Sequence, residues 1–138
     1  MKQFSFRLEK LIHLDLCITA FQEQCPKEFS AILALVFTSN NDPDAIQNLL
    51  DILAEKIPQA QVAGSTTFGE IAAGRPVLQT TIITFMVFTH TQIELKSYDI
   101  LSLHTEDAGK NLFDACEAKK DLAGIGLLAT LKTLNIKP

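Results

Sequence analysis

The sequence predicts one α/β domain over residues 1–138, a mixed, partly parallel sheet with helices packed on it. Three observations predict it. Ile32 to Phe37 is a short continuous apolar run, the pattern of a strand buried on both faces of a parallel sheet. Ile46, Leu49, Leu50, Leu53 and Ile57 then recur at helical spacing between Asp42-Pro43 and Pro58. Gln61 to Gly64 follows at once as a second short strand. A strand, a helical crossover and a strand make a β-α-β unit, whose right-handed return lays the two strands parallel.

The elements before this unit are set by spacing. Phe4 and Phe6 alternate with polar Gln3, Ser5 and Arg7, as in a strand with one buried face. Leu11, Leu14, Ile18 and Phe21 recur at three and four residues, which predicts a helix ended by Pro26. Leu14 to Ile18 also alternates, so a strand there fits as well. Within the unit, Asp42 supplies the N-cap, Pro43 occupies the first helical position and Pro58 stops the helix.

Beyond it, Leu78 to Thr89 is rich in Thr, Ile, Phe and Val and predicts a long strand. Gln92 to Tyr98 predicts another, with His90-Thr91 as the hairpin turn between them. Thr105 to Lys120 predicts a helix with Glu106 and Asp107 in its first turn and Leu112, Ala115, Cys116 and Lys119 along one face. Leu122 to Ile136 suits either a strand broken by Gly124 and Gly126 or a short helix.

Charge and cysteine usage narrow the function classes. A net charge of -4 with a pI near 5.3 argues against a nucleic-acid or anionic-membrane surface, which requires clustered cations to displace counterions. Lys119 and Lys120 are a local pair suited to the negative end of a helix. Cys17, Cys25 and Cys116 are odd in number, widely spaced and without a CxxC, the pattern of free core-facing thiols in a reducing compartment. The charged N-terminus makes a poor signal peptide, and no apolar run approaches the length of a membrane span. A cytoplasmic protein is expected.

The segment richest in chemistry is Gly64-Ser65-Thr66-Thr67-Phe68-Gly69-Glu70-Ile71. Gly64 permits close backbone approach, Gly69 can take a positive φ, and the hydroxyls between them can hydrogen-bond a polar ligand. Thr38-Ser39 ends the partner strand, so both segments fall at the C-terminal edge of the parallel pair, where open α/β sheets place ligands. The candidate binding residues are therefore Thr38, Ser39, Gly64, Ser65, Thr66, Thr67, Gly69 and Glu70. The same residues also suit an ordinary tight connection whose hydroxyls cap backbone groups, and residue types alone leave both readings open.

In the strand Leu33 to Ser39, the helix after Pro43 and above all Gly64 to Ile71, the sequence resembles the N-terminal part of the FIST sensory domain of bacterial signal-transduction proteins. The family pattern in the last segment is approximately glycine, small residue, serine or threonine, threonine, small residue, glycine, glutamate, isoleucine. Phe68 departs from it and would narrow or plug a pocket. The resemblance runs from about Ser30 to Tyr98. It implies a modular input domain attached to a diguanylate cyclase, phosphodiesterase, histidine kinase or chemoreceptor, taking a small molecule such as an amino acid. It further implies an incomplete FIST unit whose effector domain is not in this chain. Strands left open by a missing half invite a homodimer through the late strands or the C-terminal tail.

Three other classes compete. A haem-based nitric oxide sensor, to which some FIST proteins are similar, needs a histidine ligand. His13, His90 and His104 are scattered without an i, i+3 or i+4 pair, so no metal cage is expected. A purely structural module predicts an edge filled by Phe68. A small hydrolase requires a base beside Ser65 or Thr67, with Glu70 as the nearest candidate and Arg75 as its alternative partner. No G-x-S-x-G elbow, phosphate loop or dinucleotide fingerprint is present. No catalytic residue, metal site or cofactor is therefore expected.

Overall fold

The computed structural model describes residues 1–67, 70–72, 75–77, 80–97 and 105–128. Two compact units divide the chain, Met1–Leu95 and Lys96–Pro138.

The first unit is built on a four-stranded sheet. Its elements in order are β1 (Lys2–Leu8), a 3-10 turn (Leu11–His13), α1 (Leu14–Gln24), β2 (Ala31–Thr38), α2 (Pro43–Lys56) and β3 (Ala60–Thr66). A short hairpin of β4 (Glu70–Ala72) and β5 (Arg75–Val77) follows, then β6 (Thr81–Phe88). The sheet order is β1-β6-β2-β3, with β2 and β3 parallel and β6 antiparallel to both β1 and β2. Thus β1, β2 and β3 all point the same way, and β6 alone runs against them.

This order places the helices. The connections β1-α1-β2 and β2-α2-β3 both step in the same direction across the sheet, so two right-handed crossovers put both helices on one face. Burial agrees with that expectation. Leu14, Ile18 and Phe21 of α1 and Leu49 and Leu53 of α2, with Ile57 just beyond it, join Ile32, Ala34, Ile83, Phe85 and Val87 of the sheet in one core. The aromatic centre of that core is Phe21 stacked on Phe85 at 4.1 Å, with Phe4 edge-on to Phe21 and Phe6 edge-on to Phe85. On the opposite face Leu33, Leu35, Phe37, Ile82, Met86 and Phe88 are only half-buried.

Local chemistry sets the helix ends as anticipated. The Asp42 carboxylate accepts from the Asp44 amide at 3.1 Å, Pro43 begins α2, and Asn40 Oδ1 accepts from the Asp42 amide at 2.9 Å. At the other end Gln22 of α1 donates its side-chain amide to the Lys56 carbonyl at 3.0 Å, occupying an otherwise unpaired acceptor of the last turn. Asp42→Ala removes the cap and is expected to cost about 1 kcal/mol in urea unfolding without changing the m-value.

One sequence expectation is corrected and two open alternatives are resolved over the described residues. Gln92 to Lys96 forms no strand, and Tyr98 lies outside the described residues. The reason is topological: β1 and β2 already occupy both edges of β6, so a hairpin partner has no edge to join. The chain instead passes the starts of the parallel strands. Ser30 Oγ donates to the Phe88 and Thr91 carbonyls at 3.0 and 2.8 Å, and the Gln61 side chain donates to the Ile93 carbonyl at 2.8 Å. Leu14–Gln24 is helical, which settles the alternative of a strand there. Leu122 to Leu128 is neither strand nor helix, and the rest of that segment lies outside the described residues.

The second unit contains α3 (Thr105–Glu117), whose Leu112, Ala115 and Cys116 form the half-buried stripe expected from their spacing. Of the three free thiols, Cys17 and Cys25 pack against the first unit's core, and burial pushes both above the ordinary thiol range. Thiols held protonated in this way are poor nucleophiles. No helix among the described residues is long and apolar enough to cross a membrane.

Candidate functional site

Register gathers the predicted residues at one sheet edge. Thr38 pairs with Thr66 on one side and with Thr81 on the other, so three threonines form a row across the C-terminal end of the parallel pair. The ladder continues one step further, the Thr67 amide donating to the Thr38 carbonyl at 2.8 Å. β3 therefore extends through Ser65 and Thr66, which belong to the strand rather than to the turn expected from the sequence.

Under the first turns of α2 this row borders a cavity of about 190 Å³. Its wall is aliphatic, made by Val36, Ile46, Leu49, Leu50 and Val62. Its polar groups are those of Thr38, Asn40, Ser65, Thr66 and Thr81. The inner end is deep, with Thr38, Val36 and Leu49 buried, whereas Gly64, Ser65 and Thr66 are exposed. Of the eight candidate residues, Thr38, Gly64, Ser65 and Thr66 thus meet at the cavity. Ser39 and Thr67 flank it in sequence without lining it. Gly69 lies outside the described residues, as do Phe68 and the side chain of Glu70. Sequence reasoning missed Thr81, Asn40 and the inner side chains of α2, because nothing local marks them and only register and helix placement bring them in.

The hydroxyls have structural partners. Thr38 Oγ1 and Thr81 Oγ1 share a hydrogen bond of 2.7 Å, and the Asn40 amide donates to Thr38 Oγ1 at 3.1 Å. Ser39 Oγ donates to the Thr80 carbonyl at 3.2 Å, and Ser65 Oγ to the Thr66 carbonyl at 3.0 Å. None of these four hydroxyls is bonded to a histidine or carboxylate, the arrangement an activated nucleophile requires. The β4-β5 register sets Glu70 opposite Val77 and Arg75 opposite Ala72, so these two residues are not cross-strand partners.

Gly64 serves a different contact from the one its motif suggests. A Cβ there would overlap the Val36 carbonyl oxygen and come within 2.9 Å of its carbon, so the glycine lets β3 lie close against β2. The haem alternative finds no support in this cavity. Among the described residues no histidine lines it, and His13 and His90 are exposed. His104 lies outside the described residues. No group of three or more histidine, cysteine or carboxylate side chains that could hold a metal ion occurs among the described residues.

Comparison with known proteins gives one finding. A model of the FIST N domain matches residues 32–135, which carries the likeness beyond Tyr98 through α3 and most of the segment after it. No curated protein and no solved structure matches the chain. The matched residues make up most of the chain, and they include both parallel strands, the helix between them and the threonine row. This protein belongs to the FIST N domain family, a family of sensory domains in signal transduction.

Proposed function

We propose that this chain is the input part of a signalling protein and binds a small molecule in the cavity beneath α2, passing its occupancy to an attached effector such as a diguanylate cyclase or histidine kinase. One observation carries the reading. Residues from two separate strand ends, Thr38 and the Gly64-Ser65-Thr66 segment, converge on a cavity at the edge where parallel α/β sheets take ligands.

The test is a thermal-shift screen of the full chain against amino acids and neutral metabolites. A ligand at a hundred times its Kd stabilises the folded state by about 2.7 kcal/mol, which moves the melting temperature by several degrees. Thr66→Val keeps the side-chain volume but removes a cavity hydroxyl, and is expected to weaken that shift while leaving the unliganded melting temperature within a degree or two. A panel in which no compound stabilises the chain would leave the structural reading in its place.

A further inference from the structure

We infer that the cavity takes an uncharged molecule about the size of a singly substituted six-membered ring, whose acceptor oxygen meets the Thr38–Thr81 hydroxyl pair; this rests on the reading of the cavity as the ligand site. Volume sets the size. A closed apolar cavity of about 150 Å³ holds benzene, so about 190 Å³ here accepts a ring and one or two further heavy atoms, any larger group reaching out past exposed Gly64, Ser65 and Thr66.

Charge sets the class. Among the described residues none that lines the cavity is ionisable, and the wall facing the sheet is formed by Ile46, Leu49 and Leu50. An amino acid would bring a carboxylate into this space with no cation among its described lining residues to meet it. The nearby N-terminus of α2 does not supply one, because Asp42 caps it and Asp44 sits in its first turn.

Hydrogen-bond accounting sets the polar end. Thr38 and Thr81 carry two hydroxyl hydrogens between them and use one in their mutual bond. The Asn40 amide occupies an acceptor position on Thr38. One hydroxyl hydrogen is therefore left without an acceptor among the described residues, at the wall of the cavity. A ketone, aldehyde or ether oxygen satisfies it, and a hydrocarbon does not.

Titration of the full chain by saturation-transfer NMR with cyclohexanone, benzaldehyde, toluene, L-leucine and L-phenylalanine tests this. Cyclohexanone and benzaldehyde should bind, toluene should bind about three- to ten-fold more weakly, and the amino acids should not bind. Thr81→Val should lower the affinity of the two carbonyl compounds by about three- to ten-fold and leave toluene unchanged. Ala45→Phe, which fills the cavity from α2, should abolish all binding with the circular dichroism spectrum retained; Ile46→Phe replaces it if that variant does not fold. Binding of the amino acids, lost in the cavity-filling variant, would overturn the uncharged class while keeping the cavity as the ligand site. Equal affinity for toluene and the carbonyl compounds would overturn the acceptor contact. No binding by any probe, or binding indifferent to the filled cavity, would overturn this inference, while the reading beneath it stands or falls on the thermal-shift screen.

Discussion

Phe85→Ala is expected to destabilise the protein by about 3–5 kcal/mol, the usual cost of emptying a buried aromatic position. Phe85 is 0% exposed on β6, the one strand that runs against its neighbours. Its ring stacks on Phe21 of α1 with 14° between the planes and meets Phe6 of β1 edge-on at 6.1 Å. The substitution therefore removes contacts between three elements at once and leaves a void that α1 cannot close without leaving Phe4, its other aromatic neighbour. Since a domain is stable by only about 5–15 kcal/mol, this loss is a large part of the whole. Urea unfolding followed by circular dichroism measures it. Phe113→Ala is the control: Phe113 is 63% exposed on α3, so its loss is expected to fall within about 0.5 kcal/mol. Equal effects of the two substitutions would contradict the assignment of the core.

Gly64→Ala is expected to cost about 3 kcal/mol, the upper part of the range for forcing an extra methyl group into a packed position. What it meets decides the sign. The obstructing atoms are the carbonyl oxygen, carbon and Cα of Val36, and backbone atoms in a central strand cannot rotate aside as a side chain can. Relief requires β3 to move away from β2, which strains the parallel ladder from Ile32–Ala60 to Thr38–Thr66. The same movement displaces Gly64 and Thr66 at the cavity, so ligand stabilisation should fall along with fold stability. Ala63→Gly tests the position and not merely the composition, and is expected to cost no more than about 1 kcal/mol. A Gly64→Ala protein as stable as the parent would show that the two strands do not approach as closely as described.

Much of this fold was legible in local sequence because the signals were local. The apolar run at Ile32–Phe37, the Asp42-Pro43 start of α2 and the stop at Pro58 each act within a few residues, and the right-handed crossover then determined the parallel pairing of β2 and β3. The spacing of Leu14, Ile18 and Phe21 likewise marked the buried face of α1. The β4-β5 hairpin went unread, although Gly74 between two short apolar stretches was a weak signal for it.

Residue types alone placed a candidate site at the ends of β2 and β3, and resemblance to a sensory family sharpened it. What they could not decide was which of those residues share a cavity, or what else borders it. Strand order decided that. Because β6 inserts between β1 and β2, Thr81 comes to lie beside Thr38 despite a separation of forty-three positions, and Gln92 to Lys96 is denied the strand its composition favours. Periodicity reports which face of an element is apolar, since that is a property of a few neighbouring residues. Which strands share an edge depends on the competition among all the strands for a limited number of backbone donors and acceptors, and that competition is settled only when the whole sheet is assembled.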